Sequence, residues 1–261
     1  MKPSVPIPTI ELDILTDLAR EAGAAILRYF RREIVVDRKD DHSPVTEADR
    51  AADAIIAAGL RKLTPDIPVI TEEEVADGVA PTAIGTRFWL VDPLDGTREF
   101  IHGRDEFTVN IALIDAGAPV IGVVYLPVQE QLYTGRTPGT ASLSEAGIPP
   151  RLIEARQVPA GGLSVVASRS HADKDELKTF LAGMRVAEIL VAGSSLKFCL
   201  IAEGKADLYP RLGPTMEWDT AAADAVLRAA GGHVRTVDGA ALKYGKPGLR
   251  NPHFTASGRD S

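Results

Sequence analysis

The sequence predicts an α/β protein made of two unlike halves, an α+β half followed by an α/β half. Two helical patterns occupy the first sixty or so residues, β-rich runs dominate 67–136, and strands and helices alternate from 163 onward. Gly, Pro, Ala and Ser crowd residues 135–162, which places the junction there and the halves at 1–145 and 146–261.

Taking the elements in order, apolar residues recur at helical spacing over 10–32: Ile14, Leu15, Leu18, Ala22, Ala25, Ile26, Tyr29 and Phe30. A second helix opens at TEADRAADAIIAAGLRKL, with Thr46 as N-cap and Asp49 at the third helical position, as in a capping box. IPVIT (67–71) is a short strand that ends in the acids Glu72, Glu73 and Glu74. RFWLVD (87–92) is a strand stopped by Pro93, which lacks an N–H. EFTVNIALIDAGAPVIGVVYLP (106–127) is a β-hairpin around a Gly-Ala-Pro turn, and QLYTGR adds a strand. In the second half LSVVAS, AEILVAG, ADLYPR and a last strand, HVRTV, alternate with helices at DKDELKTFLAGM, SSLKFCLIAEG and EWDTAAADAVLRAAGG. Gly204 and Gly231 close the last two helices.

The 261 residues can bury a substantial core, and 45% hydrophobic with 25% charged residues are ordinary values for a globular protein. A net charge of −7 argues against broad attraction to nucleic acid or anionic membrane, yet leaves room for a small anionic substrate in a locally cationic cleft. Cys199 is the single cysteine, so no internal disulfide is expected, and its helical setting reads as a buried thiol rather than a nucleophile. MKPSVPIPTIELD has no long apolar core and no run reaches a membrane span, so a cytoplasmic chain without a secretory signal or transmembrane segment is expected. The histidines (42, 102, 171, 233, 253) show no zinc spacing. Trp89 and Trp218 flank acidic segments and read as packing support.

WLVDPLDGTREF (89–100) carries the chemistry. Asp92 closes a strand, Asp95 follows three residues later, and the Leu94 carbonyl lies between them; two carboxylates and a carbonyl are hard oxygen donors of the kind Mg²⁺ prefers. Gly96 and Thr97 open a helix whose free N–H groups suit a phosphate. Asp-Pro and Asp-Gly are also ordinary turn pairs, so alone this stretch is either a turn or a site. Glu72 and Glu73 follow another strand and can reach the same sheet edge, whereas Glu74 reads as a solvated acid. Asp219 begins a helix beside Trp218; taken singly, it and Asp49 read as helix-terminal acids.

Together, TEEE, DPLDGT and EWDTAA in that order resemble the signature of the inositol monophosphatase superfamily of metal-dependent phosphatases. DGTREFI, EFTVNIALI, GVVYLP, GSSLKFCLIAEGKADLYPR and GPT followed by WDTAA are similar to its 3'(2'),5'-bisphosphate nucleotidase branch of CysQ type, with Arg98 where that branch has lysine. The resemblance spans residues 10–258 and implies a layered α/β/α/β/α sandwich. It implies two or three Mg²⁺ ions held by Glu72, Asp92, the Leu94 carbonyl, Asp95 and Asp219, with Asp92 bridging. It also implies hydrolysis by a metal-activated water oriented by Thr97 and Asp49, the phosphate resting on the amides of Gly96 and Thr97.

For substrate, the resemblance assigns Gly193, Ser194, Ser195, Lys197 and Asp219 to binding, with Lys197 against the second phosphate of a nucleotide bisphosphate and Arg211 and Arg98 as further cations. Without it, Ser194 and Ser195 would be helix caps and Lys197 a solvated charge. The implied reaction removes the 3'-phosphate of adenosine 3',5'-bisphosphate, and of 3'-phosphoadenylyl sulfate, giving AMP from the former. The alternatives are an inositol-phosphate or sugar-phosphate phosphatase and, ranked lower, a non-catalytic nucleotide sensor. A monomer or homodimer and peripheral membrane association stay open.

Overall fold

The structure, a computed structural model, describes residues 10–30, 37–38, 44–45, 47–81, 84–169 and 174–260. Helices α1 (Leu12–Leu27) and α2 (Glu47–Leu63) flank a two-residue pair, β1 (Asp37–Arg38) and β2 (Pro44–Val45). Then come β3 (Val69–Thr71), α3 (Glu72–Ala76), β4 (Arg87–Asp95), α4 (Thr97–Ile101), β5 (Thr108–Asp115), β6 (Ala118–Leu126), β7 (Gln131–Arg136), β8 (Ala141–Glu145) and β9 (Ile148–Ile153). Strands β3 to β9 form a seven-stranded sheet in sequence order, parallel between β3 and β4 and antiparallel elsewhere.

The second half comprises β10 (Leu163–Ser168), α5 (Lys174–Phe180), β11 (Val186–Ala192), α6 (Leu196–Ala202), β12 (Leu208–Arg211), α7 (Ala221–Ala229), β13 (His233–Thr236) and β14 (Phe254–Ser257). Its five strands lie in the order β11-β10-β12-β14-β13, with β10 parallel to both β11 and β12.

Period-two alternation explains how the layers stack. On β4, Trp89 and Val91 pack with α1 and α2 in one core. Phe88 and Leu90 point the other way, into a second core shared with α6 and α7. The seven-stranded sheet is therefore apolar on both faces and covered on both. In the second sheet, β10–α5–β11 and β11–α6–β12 are parallel crossovers that run in opposite directions across the sheet. Right-handed crossovers send their helices to opposite faces, which puts α5 outside and α6 inside. The resulting order is α1 and α2, seven-stranded sheet, α6 and α7, five-stranded sheet, α5: the α/β/α/β/α layering.

Two glycines let α7 close on the sheet. A Cβ on Gly122 would lie 2.1 Å from the Ala222 carbonyl oxygen, and one on Gly135 would lie 2.6 Å from Val226 Cα. No side chain fits either position, so the helix rests directly on β6 and β7.

The structure departs from the sequence reading at several points. The strand through Asp92 does not stop at Pro93 but continues to Asp95 across an irregularity in the ladder. The acids after β3 form the short helix α3, with the Thr71 hydroxyl accepting from Glu74 N at 3.1 Å. The β5–β6 turn is Ala116–Gly117, both at positive φ, rather than Gly-Ala-Pro. The stretch 135–162 contains β8 and β9, so the change of sheet falls between Ile153 and Leu163, beyond the 145/146 boundary expected from composition. HVRTV is followed by one more strand, β14, which lies between β12 and β13. Thr46, His42 and His171 lie outside the described residues. Among the described residues, no helix is long and apolar enough to cross a membrane.

Candidate active site

Side chains three apart on a regular strand point to opposite faces, so Asp92 and Asp95 would be split by an unbroken β4. The ladder shows why they are not. Asp92 pairs with Asn110 and Asp95 with Thr108, three steps on β4 against two on β5. The extra residue is a bulge, sited at Pro93 and Leu94, and it returns Asp95 to the face of Asp92. Within the bulge Leu94 N donates to Asp92 Oδ1 at 3.0 Å, while the Leu94 side chain is buried against α1 and α2. Its carbonyl accepts from the Thr97 hydroxyl at 3.2 Å. Gly96, at φ 93°, makes the turn into α4 that an L side chain would resist.

That shared face looks toward the second half. Glu72, the first residue of α3, Asp92 and Asp219 each bring a carboxylate oxygen within 4.8 Å of the others. Asp219 sits in the loop before α7, its Oδ2 accepting from Met216 N at 2.9 Å. Asp49, buried in the first turn of α2, lines the same cleft of about 330 Å³, as do Glu73, Gly96 and Thr97. So does Arg98, which stands exposed on the rim. Glu74 turns away and pairs with Arg61 at 2.5 Å, so it is a partly buried ion pair rather than the solvated acid expected.

From the other side, the β11–α6 loop supplies Gly193, Ser194 and Ser195. Ser194 Oγ donates to Asp95 Oδ2 at 2.5 Å, and Ser195 Oγ lies 3.1 Å from the same oxygen. Gly193 N is taken by Glu106 Oε2 at 2.8 Å, and Glu106 also holds Arg169 at 3.0 Å. A Cβ on Gly193 would lie 2.9 Å from the Glu106 carbonyl oxygen, so only glycine permits this approach. Lys197 is not solvated: it is 4% exposed, donates to the Ser194 carbonyl and lies 5.2 Å from the centre of the Tyr209 ring. Arg211 donates to the carbonyls of Gly213 (3.2 Å) and Pro214 (2.5 Å) at the cleft edge. Cys199 is buried and burial pushes its thiol well above the ordinary range, which removes it as a nucleophile.

The electrostatics mark this as a place for cations. Burial, then Glu72, Asp95, Asp219 and Asp49, push the Asp92 carboxyl well above its usual range. Asp219 is pushed up to about 7 by burial and Asp95, against Met216 N, Arg211 and Lys197. Burial, opposed most by Asp95, pushes Lys197 down to about 8. A set of hard carboxylate oxygens this close is destabilised as it stands and fits a divalent ion. Sequence reasoning passed over Thr108, Asn110, Glu106 and Arg169; the one readable signal was the lone amide of Asn110 inside the apolar run of β5.

The sequence profile of the inositol monophosphatase family matches residues 11–258. The chain belongs to the inositol monophosphatase family. This family is metal-dependent, in keeping with the acidic cluster. Within the family, the chain is 49% identical over 249 residues to the 3'(2'),5'-bisphosphate nucleotidase CysQ of Escherichia coli K12, covering 94% of this chain and 99% of the relative. A crystal structure of CysQ from Bacteroides thetaiotaomicron, a bacterial member of the family, superposes with a TM-score of 0.80 at 36% identity, over 97% of this chain and 99% of that one. The inositol monophosphatase of Thermotoga maritima gives 0.76 at 26% identity, over 94% and 91%. The layered sandwich is thus the inositol monophosphatase fold.

Proposed function

We propose that this chain is a Mg²⁺-dependent 3'(2'),5'-bisphosphate nucleotidase that removes the 3'-phosphate of adenosine 3',5'-bisphosphate to give AMP. The observation that carries the reading is the convergence of Glu72, Asp92 and Asp219 at one end of a cleft that also holds a buried cation, Lys197. The 49% identity to proteins named for this activity supports the choice of substrate within the family.

In this reading Glu72, Asp92, the Leu94 carbonyl, Asp95 and Asp219 would hold two or three ions, Glu72 and the Leu94 carbonyl serving one, Asp95 and Asp219 another, and Asp92 both. When bound, the ions concentrate positive charge so that a phosphate ester and a water nucleophile, both electron-rich, can approach each other. The chain's own groups do the rest. The Thr97 hydroxyl, which here donates to the Leu94 carbonyl, would turn its proton to Asp49 once that carbonyl holds an ion, and its oxygen would then orient the attacking water. The amides of Gly96 and Thr97 take up negative charge on the phosphoryl oxygens. Lys197 pairs with the second phosphate of the nucleotide, and Arg211 and Arg98 add positive charge at the edge. The residues before Ile153 supply most of the acids, and those after it supply Asp219 and Lys197.

The test is phosphate release from adenosine 3',5'-bisphosphate, myo-inositol 1-phosphate and fructose 1,6-bisphosphate, with Mg²⁺ and then with EDTA. The expected result is EDTA-sensitive turnover that is fastest on the nucleotide. Equal or faster turnover of the inositol ester would overturn the nucleotidase reading.

A further inference from the structure

The two β5 residues that face Asp92 and Asp95 across the ladder are Asn110 and Thr108. Both are fully buried polar side chains, and Asn110 is flanked by Val109 and Ile111. Asn110 Nδ2 donates to Ser195 Oγ at 2.9 Å, and Thr108 Oγ1 lies 2.5 Å from Ser194 Oγ. Ser195 Oγ also reaches the Asp219 carbonyl oxygen at 3.0 Å.

Counting protons fixes the direction of these contacts. A carboxylate only accepts, so Ser194 gives its proton to Asp95 Oδ2, and Thr108 must then donate to Ser194. An amide N–H only donates, so Ser195 accepts from Asn110 and turns its own proton to Asp95 Oδ2 or to the Asp219 carbonyl. Two chains of hydrogen bonds therefore start on β5 and pass through adjacent serines: the one through Ser194 ends at Asp95 Oδ2, and the one through Ser195 ends there or at the Asp219 carbonyl. Adjacent serines can both reach Asp95 Oδ2 because Ser194 adopts φ 51°, a strained conformation for a non-glycine residue. Asn110 Oδ1 is buried without a hydrogen-bond partner among the described residues, a cost that an aliphatic residue in this strand would avoid.

We propose that Thr108 and Asn110 are positioning residues for the metal site, which act through Ser194 and Ser195 to commit Asp95 Oδ2 to hydroxyl donors and leave Oδ1 for the cation. The serines then serve the aspartate rather than the substrate. The proposal rests on reading the acids as divalent-cation ligands, but not on which phosphate ester is hydrolysed.

The experiment is a titration of the metal-free, full-length chain with Mn²⁺, followed by the EPR signal of the free ion, in the absence of substrate. Thr108→Val and Asn110→Leu keep size and burial while removing the donors, and Thr108→Ser restores a hydroxyl. Thermal melts identify the folded variants, and Asn110→Ala replaces Asn110→Leu if the latter does not fold. The expected result is a Mn²⁺ dissociation constant raised about ten-fold or more in Thr108→Val and in the Asn110 variant, and restored in Thr108→Ser. Wild-type Mn²⁺ affinity in the folded variants would overturn the proposal. A raised KM for adenosine 3',5'-bisphosphate with Mn²⁺ affinity unchanged would assign the serines to the substrate instead. Because the titration uses no substrate, it decides the matter even if the chain proves inactive on the nucleotide.

Discussion

Asp92 stands opposite Asn110 in the β4–β5 ladder, and the next rung joins Asp95 to Thr108, so β4 uses three residues where β5 uses two. One surplus residue brings two aspartates of opposite parity onto one face, toward Asp219. Because Asp95 points into the cleft rather than into a core, Asp95→Asn should lower turnover on the order of a hundred-fold or more, while its melting temperature stays close to wild type. Parallel measurement of turnover and thermal melts checks this; wild-type turnover would reduce the bulge to a mere turn.

Asp92 is the most crowded acid, buried among Glu72, Asp95, Asp219 and Asp49. An amide in its place relieves repulsion that otherwise takes a bound proton or a cation to offset. At neutral pH without metal, Asp92→Asn should therefore melt above wild type. Added Mg²⁺ should raise the melting temperature of wild type, as any ligand of the folded state does, and leave the variant unmoved. A variant that still responds to Mg²⁺ would place the ion elsewhere.

Lys197 gives the pH dependence. Burial lowers it from 10.5 to about 8, so below that value the folded chain bears the full cost of a buried ammonium. As pH rises from about 8 toward 10.5 the folded form has shed a proton that the unfolded form retains, so this group's contribution to stability rises. Phosphate binding moves the opposite way: KM for adenosine 3',5'-bisphosphate should climb as pH passes about 8. Lys197→Met should raise KM about ten-fold, flatten that climb and melt higher at pH 7. The same upward slope of KM in the variant would show that another group is titrating.

Gly122 tests the layering itself. A methyl group there meets the Ala222 carbonyl oxygen at 2.1 Å, a contact with helix backbone that cannot swing aside. Gly122→Ala should cost about 1–3 kcal/mol, read from denaturant melts, as overpacking does. Gly147→Ala is a control of a different kind: nothing lies within 4 Å of its Cβ, so only the strain of φ 71° opposes it. An unchanged melt for Gly122→Ala would mean that α7 does not rest on β6 as described.

Much of the fold was legible because alternation is strict where both faces of a strand are buried: Phe88 to Val91 read as a strand and lie in two cores, as such a run must. The misses have physical causes. β9 carries Pro149 and Pro150 on the outer edge of its sheet, where lost N–H donors do no harm, so a strand looked like a loop. β14 is four residues long and is held by pairing with β12 and β13, a long-range effect that no local pattern records. In the site, Asp92 and Asp95 announced themselves through their proline and glycine, yet what unites them is register with β5. Lys197 looked like a surface charge because its burial comes from packing beside Tyr209, on a different element. Asn110 was hidden for the opposite reason: one amide does not disturb an apolar strand signal.

The central claim is that the acidic cleft directs Mg²⁺-dependent loss of the 3'-phosphate from a nucleotide bisphosphate. Phosphorus NMR of adenosine 3',5'-bisphosphate turning over on the full-length chain tests it most directly. The account predicts that the 3' resonance is lost to inorganic phosphate while the 5' resonance persists as AMP, and that EDTA stops the change. Loss of the 5' resonance first, or turnover indifferent to EDTA, would contradict it.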